Sequence, residues 1–129
     1  MQSLHTPSDL SVMFDDDHAV ANAGLALAGL LSEKLGLEEL CDETISIAPL
    51  PGRRAATLVH SLVVGGTCID DADVLRAGST AAVLSHRVMA PSKLGTFLRG
   101  FTFGHVRQLD AVAQRLLTRA LGAGPDARP

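Results

Sequence analysis

Carboxylates gather at two places in the chain, Asp15-Asp16-Asp17 and the group Asp70, Asp71 and Asp73. Two-metal phosphoryl transfer needs carboxylates that converge on divalent cations. Three successive aspartates at a helix start point in different directions, and no further ligand is spaced to help hold a magnesium ion. Helix capping and the helix dipole account for both groups, with Asp70 as the cap of a short helix. The five histidines, His5, His18, His60, His86 and His105, are scattered, and none stands four positions from another on a helix. His60 is expected to be buried or half-buried on a long helix, and His105 to lie near the start of the last one. Cys41 and Cys68 have no Cys or His neighbour at metal-ligand spacing, so reduced, packed thiols are expected. No Ser/His/Asp arrangement, P-loop or dinucleotide-binding glycine pattern is recognisable. No catalytic residue, metal ligand or cofactor is therefore assigned.

Charge is more informative. Up to Leu75 there are three basic residues against twelve acidic ones, a net −9, and from Arg76 onward eight against two, a net +6. Such asymmetry within one small chain fits either a side that faces a polyanion or two solvated faces of opposite sign. Within the basic half, a helix from Ser92 to Arg99 would present Ser92, Lys93, Thr96 and Arg99, with Arg87 at the preceding turn and Leu94, Phe97 and Leu98 facing inward. Hydroxyls and a cation at a helix start suit phosphate contact, because the first backbone N–H groups have no intrahelical partner. Arg107 adds a further cation and completes the candidate DNA-contacting set. Phe97, Phe101 and Phe103 interleave with these cations and could stack on bases. A chain with no Trp, no Tyr and four Phe needs them for packing, so a core role is preferred.

The elements that must position these residues are helical. At 129 residues there is room for one domain, and its apolar mass is mainly Ala, Leu and Val, which favours an all-α, compact multi-helix domain. Residues 1–15 read as a loosely ordered arm, 16–121 as the helical domain and 122–129 as a linker-like tail. Val20, Ala23, Gly24, Leu27, Leu30, Leu31 and Leu35 recur at helical steps from Asp17 until Gly36, predicting a core helix. A turn or two follows over Leu37–Asp42, then a loop with Pro49 and Pro51. Arg53–Val64 reads as a second long helix with Leu58, Val59, Leu62 and Val63 on its apolar side and Gly65-Gly66 ending it. Asp71–Ala77 is a short helix, closed by Gly78. Thr80–His86 and Ser92–Arg99, joined by a turn containing Pro91, form a candidate helix-turn-helix, with Ser92 as cap of the second helix. The last helix, Gly104–Leu121, carries Val106, Leu109, Val112, Leu116 and Ala120 on one stripe, with Arg107, Arg115 and Arg119 mostly off it. No apolar run approaches the roughly 18 residues of a membrane span, and Met1–Leu10 lacks the order of a signal peptide, so a cytoplasmic chain without membrane contact is expected.

The runs Cys68-Ile-Asp-Asp-Ala-Asp-Val-Leu-Arg-Ala-Gly78, His86-Arg-Val-Met-Ala-Pro-Ser92, Leu94-Gly-Thr-Phe-Leu-Arg99 and Phe101-Thr-Phe-Gly-His-Val-Arg-Gln-Leu-Asp110 resemble the N-terminal region of bacterial insertion-sequence transposases of the DDE superfamily, group-1 DDE type. The resemblance runs from about Val12 to Leu121 and includes Phe14-Asp-Asp-Asp-His18 and Gly52-Arg-Arg-Ala-Ala-Thr-Leu-Val-His60. It implies a helical region that helps to recognise the terminal inverted repeats of the element in DNA transposition, with cutting and joining left to an RNase H-like domain further along. In full-length relatives a linker leads to a strand bearing the first catalytic carboxylate, and this sequence reaches Pro129 without one. The resemblance therefore implies a DNA-recognition fragment that is not itself an enzyme. The alternatives are a non-catalytic module that pairs with a second copy or with an intact transposase through the last helix, a small independent transcriptional regulator, and a nuclease using the aspartate clusters.

Overall fold

The structure, a computed structural model, describes residues 20–47, 49–84 and 86–122. All regular structure among them is helical. The arm at 1–15, the Asp15-Asp16-Asp17 run and the tail beyond Gly122 lie outside the described residues.

Asn22 takes a left-handed conformation, φ 58°, inside a turn that delays the first helix, so α1 spans Leu25–Leu35 rather than starting at Asp17. Gly36, at φ 72° and ψ 39°, ends α1 and leads directly into α2, Leu37–Thr44. A left-handed residue at this place costs little only when it has no Cβ. The guanidinium of Arg119 donates to the Leu35 carbonyl at 2.7 Å, satisfying one of the orphan acceptors at the end of α1.

Leu50 is also left-handed and turns the chain into α3, Pro51–Val63, with Pro51 in its first turn. The Gly52 N–H donates to Asp42 Oδ1 at 2.8 Å, so a carboxylate of α2 serves the start of α3. The two helices are so close here that a Cβ on Gly52 would overlap the Glu38 carbonyl. This approach corrects the expected orientation of α3. Its buried face is the one bearing Gly52, Arg54, Ala55, Ala56, Thr57, His60 and Ser61. Leu58 is only half-buried, and Val59, Leu62 and Val63, expected inside, are exposed. Small side chains permit close helix packing, and that gain outweighs the leucine periodicity. α1 departs from expectation in the same way. It buries Leu25 and Gly29, while Leu27, Leu30 and Leu31 are exposed.

Gly65, at φ 95°, ends the turn after α3 as expected. Ile69–Arg76 is a 3-10 helix rather than an α-helix, capped by Cys68 and not by Asp70. The Asp71 carboxylate reaches back to accept from the N–H groups of Thr67 at 2.7 Å and Cys68 at 3.0 Å. These bonds hold its pKa below the usual carboxylate value. Asp73 pairs instead with Arg76 at 2.9 Å, so these two aspartates are occupied by local structure. Cys68 is exposed, against the packed thiol expected, whereas Cys41 is buried. Thr80–Val83 forms only a four-residue 3-10 turn, and residues 87–90 lead without helical structure into α4, Pro91–Arg99. After Gly100 and a short link, α5 runs Phe103–Gly122.

The largest core cluster joins Leu37, Leu40 and Cys41 of α2, Ala55 and Ala56 of α3, and Val112 of α5. Two smaller clusters hold the middle of the chain: Leu25, Leu75 and Leu84 in one, and Ala72, Met89 and Leu94 in the other. Among the described residues no helix is long and apolar enough to cross a membrane.

Candidate nucleic-acid interface

α4 has two sides. Leu94 and Phe97 are fully buried, and Phe97 meets Phe101 edge-on with ring centroids 5.0 Å apart. The Arg54 guanidinium lies over the Phe97 ring at 5.9 Å, with its Nε buried and without a hydrogen-bond acceptor. α4 rests on α3 and on the Ile69–Arg76 helix. Ser92, Lys93, Thr96 and Arg99 are all exposed, as the helical period requires of residues opposite Leu94 and Phe97. α4 contains no acidic residue.

The start of α4 differs from expectation in one respect. Ala90, not Ser92, is the N-cap residue, no side chain caps the helix, and Pro91 takes the first helical position. Ser92 is thereby in the first turn, where Pro91 has no N–H and the N–H groups of Lys93 and Leu94 donate to the Ala90 carbonyl at 3.0 and 3.2 Å, so the Ser92 N–H and hydroxyl are the donors this turn offers to solvent. Thr96 Oγ1 donates to the Ser92 carbonyl at 3.1 Å. Arg99 folds back over Gly95, close enough that a Cβ there would meet its Nη1 at 3.2 Å. Ser92, Gly95 and Arg99 line a shallow cleft with Cys68, Ile69 and Asp70 on its other wall. Asp70 is the acidic member of this otherwise cationic or neutral lining.

The helix-turn-helix expected from Thr80–His86 and Ser92–Arg99 is not formed. The Thr80–Val83 turn packs on α1 and on the Ile69–Arg76 helix and makes no contact with α4. The reason is that the linking segment is pinned at two different places. Leu84 is buried with Leu25 and Leu75, and Met89 with Ala72 and Leu94. The Met89 N–H also donates to Thr57 Oγ1 at 3.2 Å. Arg87, exposed, lies on this segment. Arg107 is exposed on α5, which packs against α2 and α1 and not against α4. Four of the six candidate residues therefore share one helix face, the fifth precedes it, and the sixth stands on a different element. Of the aromatics, Phe97 is core and Phe101 half-buried, but Phe103 is 77% exposed, which corrects its assignment to the core.

A buried polar chain escaped sequence reasoning altogether. His60 and His86 stack with centroids 5.0 Å apart and planes 11° from parallel, and His60 Nδ1 lies 2.8 Å from His86 Nε2. His60 Nε2 is 3.1 Å from Ser32 Oγ, and His86 Nδ1 is 3.2 Å from the Arg87 carbonyl. That carbonyl can only accept, so His86 donates to it from Nδ1 when its Nε2 accepts from His60 Nδ1–H, and His60 Nε2 then shares the Ser32 hydroxyl with the Gly29 carbonyl, 2.9 Å from Ser32 Oγ. Burial, and then the neighbouring His86, push the His60 pKa below its ordinary value. His60 was expected to be buried, but nothing in the spacing of positions 60 and 86 signals that the rings meet. His105 has a local role near the start of α5, where its Nδ1 accepts from the Thr102 N–H at 3.1 Å.

The acidic half of the chain has its own location. Glu33, Glu38, Glu39 and Asp42 line a pocket at the junction of α1 and α2. Compared with known proteins, the chain matches no family model, no curated protein and no solved structure.

Proposed function

We propose that the chain is a DNA-recognition module that docks the exposed face of α4 against the backbone of a duplex, and that this duplex is the terminal inverted repeat of an insertion element. The observation that carries the first part is the placement of Ser92, Lys93, Thr96 and Arg99 on one acid-free helix face whose first turn has no side-chain cap. Such a face offers hydroxyl, ammonium and guanidinium donors together with the Ser92 N–H, groups that phosphate oxygens accept from. The second part rests on the resemblance to the N-terminal region of group-1 DDE transposases. On this reading the chain binds DNA and leaves cutting and joining to a catalytic domain of the same family. Arg87, preceding α4, extends the cationic track, and Arg107 on α5 contacts DNA only if the duplex passes both elements.

Fluorescence anisotropy with inverted-repeat and scrambled duplexes across a salt series tests this. Phosphate contacts predict affinity that falls steeply with salt. Lys93→Ala should weaken binding to all sequences about equally and reduce the salt slope by about 1. Arg99→Ala should also change the preference for the repeats. Binding that is independent of salt, or unchanged in both variants, overturns the assignment of α4.

A further inference from the structure

We propose that Arg54, on the buried face of α3, is a phosphate-binding residue whose guanidinium is fixed in place before the anion arrives. Arg54 is only 9% exposed, and its guanidinium covers the Phe97 ring. Among the described residues no carboxylate pairs with it and no acceptor meets its buried Nε. The adjacent Arg53 shows the contrast. It is the more exposed of the two, and it has a counter-ion in Glu38 at 3.4 Å. Asp42, a second carboxylate of α2 near the start of α3, is taken by the Gly52 N–H.

A charge removed from water without a counter-charge works against the fold. The Phe97 ring does not meet that need, because a centroid 5.9 Å away lies at the outer limit of cation–π attraction. An unbranched apolar side chain would cover the same ring without the charge. What the guanidinium adds is a planar fork of N–H donors that matches the oxygens of a phosphate. Its two Nη groups are free of partners and, unlike Nε, are not sealed from solvent, so an anion reaches them from outside. The stem is already packed, so binding costs little of the rotamer freedom that the exposed Arg87, Lys93 and Arg99 would lose. Free phosphate and the phosphodiester of a duplex offer the same oxygens. The second source rests on the DNA-recognition reading, whereas the anion site itself does not.

Thermal unfolding of the full chain near pH 8, in sodium phosphate and in sodium chloride of matched ionic strength, tests the proposal. Phosphate should raise Tm with a dissociation constant on the order of millimolar. General salting-out by phosphate acts on every variant alike, so the response that counts is the part lost on substitution. Arg54→Met should abolish that part while leaving Tm in chloride equal or higher, since it removes an uncompensated buried charge. Arg54→Lys keeps the charge but not the fork, and should weaken phosphate about 10-fold. Duplex affinity by anisotropy then distinguishes the sources. A loss of about 10-fold in Arg54→Met identifies the phosphodiester, and an unchanged affinity beside a lost phosphate response identifies the free anion. An Arg54-dependent phosphate response in a native chain that binds no duplex retires the DNA-recognition reading and leaves the site standing. If Arg54→Met keeps both the phosphate response and the duplex affinity, or melts below the native chain in chloride, Arg54 is a packing residue and the proposal is overturned.

Discussion

His60 makes the stability of this fold depend on pH near neutrality. Its ring is 1% exposed, stacked on His86 and bonded to Ser32, and its pKa is lowered by burial first and by His86 second. In the unfolded chain the ring returns to its ordinary value of 6.5. As pH falls through that value the unfolded state takes up a proton that the folded state refuses, so stability is full above it and is lost below it. While the folded ring stays neutral, the loss at about pH 5.5 is ~1.4 kcal/mol, and it grows by about 1.4 kcal/mol for each further pH unit. For a domain of this size that corresponds to a fall in Tm of roughly 4–7 °C. Urea unfolding followed by circular dichroism at about pH 7.5 and 5.5 measures it directly. His60→Gln should be less stable than the native chain at the higher pH and should show a much smaller difference between the two. A native chain equally stable at both values, or more stable at the lower one, would refute the claim that His60 is held neutral.

Three further outcomes follow from local geometry. Gly52→Ala should destabilise the fold by about 1–3 kcal/mol in the same urea assay, because its Cβ has no room against Glu38 and Asp42 and α2 must shift away from α3. Thr57→Val keeps the shape of a buried side chain but leaves the Met89 N–H without its acceptor, costing roughly 1–3 kcal/mol, whereas Thr57→Ser should cost less. Mass spectrometry after iodoacetamide treatment near pH 8 should find one alkylated thiol in the folded chain and two in urea. Cys68 is exposed, while Cys41 is buried with its pKa raised to about 11 by burial and by Asp42 and Glu38.

The helical class was legible because apolar residues recur at three- and four-residue steps between glycines and prolines, and those breaks coincide with Gly36, Pro51, Gly65 and Pro91 in the structure. The inner faces of α1 and α3 were not legible from their leucines. Close approach at Gly52, Ala55 and Ala56 sets the face of α3, and a reading that had weighed small residues as packing surface would have found it. The α4 face was legible from Leu94 and Phe97, which a nine-residue helix must place on one side, but Leu98, expected to face inward with them, is 41% exposed. The missing helix-turn-helix reflects tertiary override. Leu84 and Met89 are drawn into separate clusters, and residues 87–90 run into α4 without helical structure. The His60–His86 contact needs the chain to return across α3 after 26 residues, which no local pattern encodes.

The tethering of α5 to the first third of the chain also dictates an order of events during synthesis. Gln108 reaches Ser46 across 62 positions, Arg115 reaches Thr44 across 71, and Arg119 reaches Leu35 across 84. Val112 completes the cluster that holds α2 and α3 together. At a synthesis rate of about 5–20 residues per second, the α2–α3 hairpin therefore waits several seconds for the helix that seals it. Contacts of such long separation slow folding for a helical chain, since the loop they close must be ordered before any of them forms. A nascent chain stalled before Val112 would leave Leu37, Leu40 and Ile45 without the helix that covers them, so the emergence of α5, rather than the formation of any earlier helix, is the step that closes this cluster.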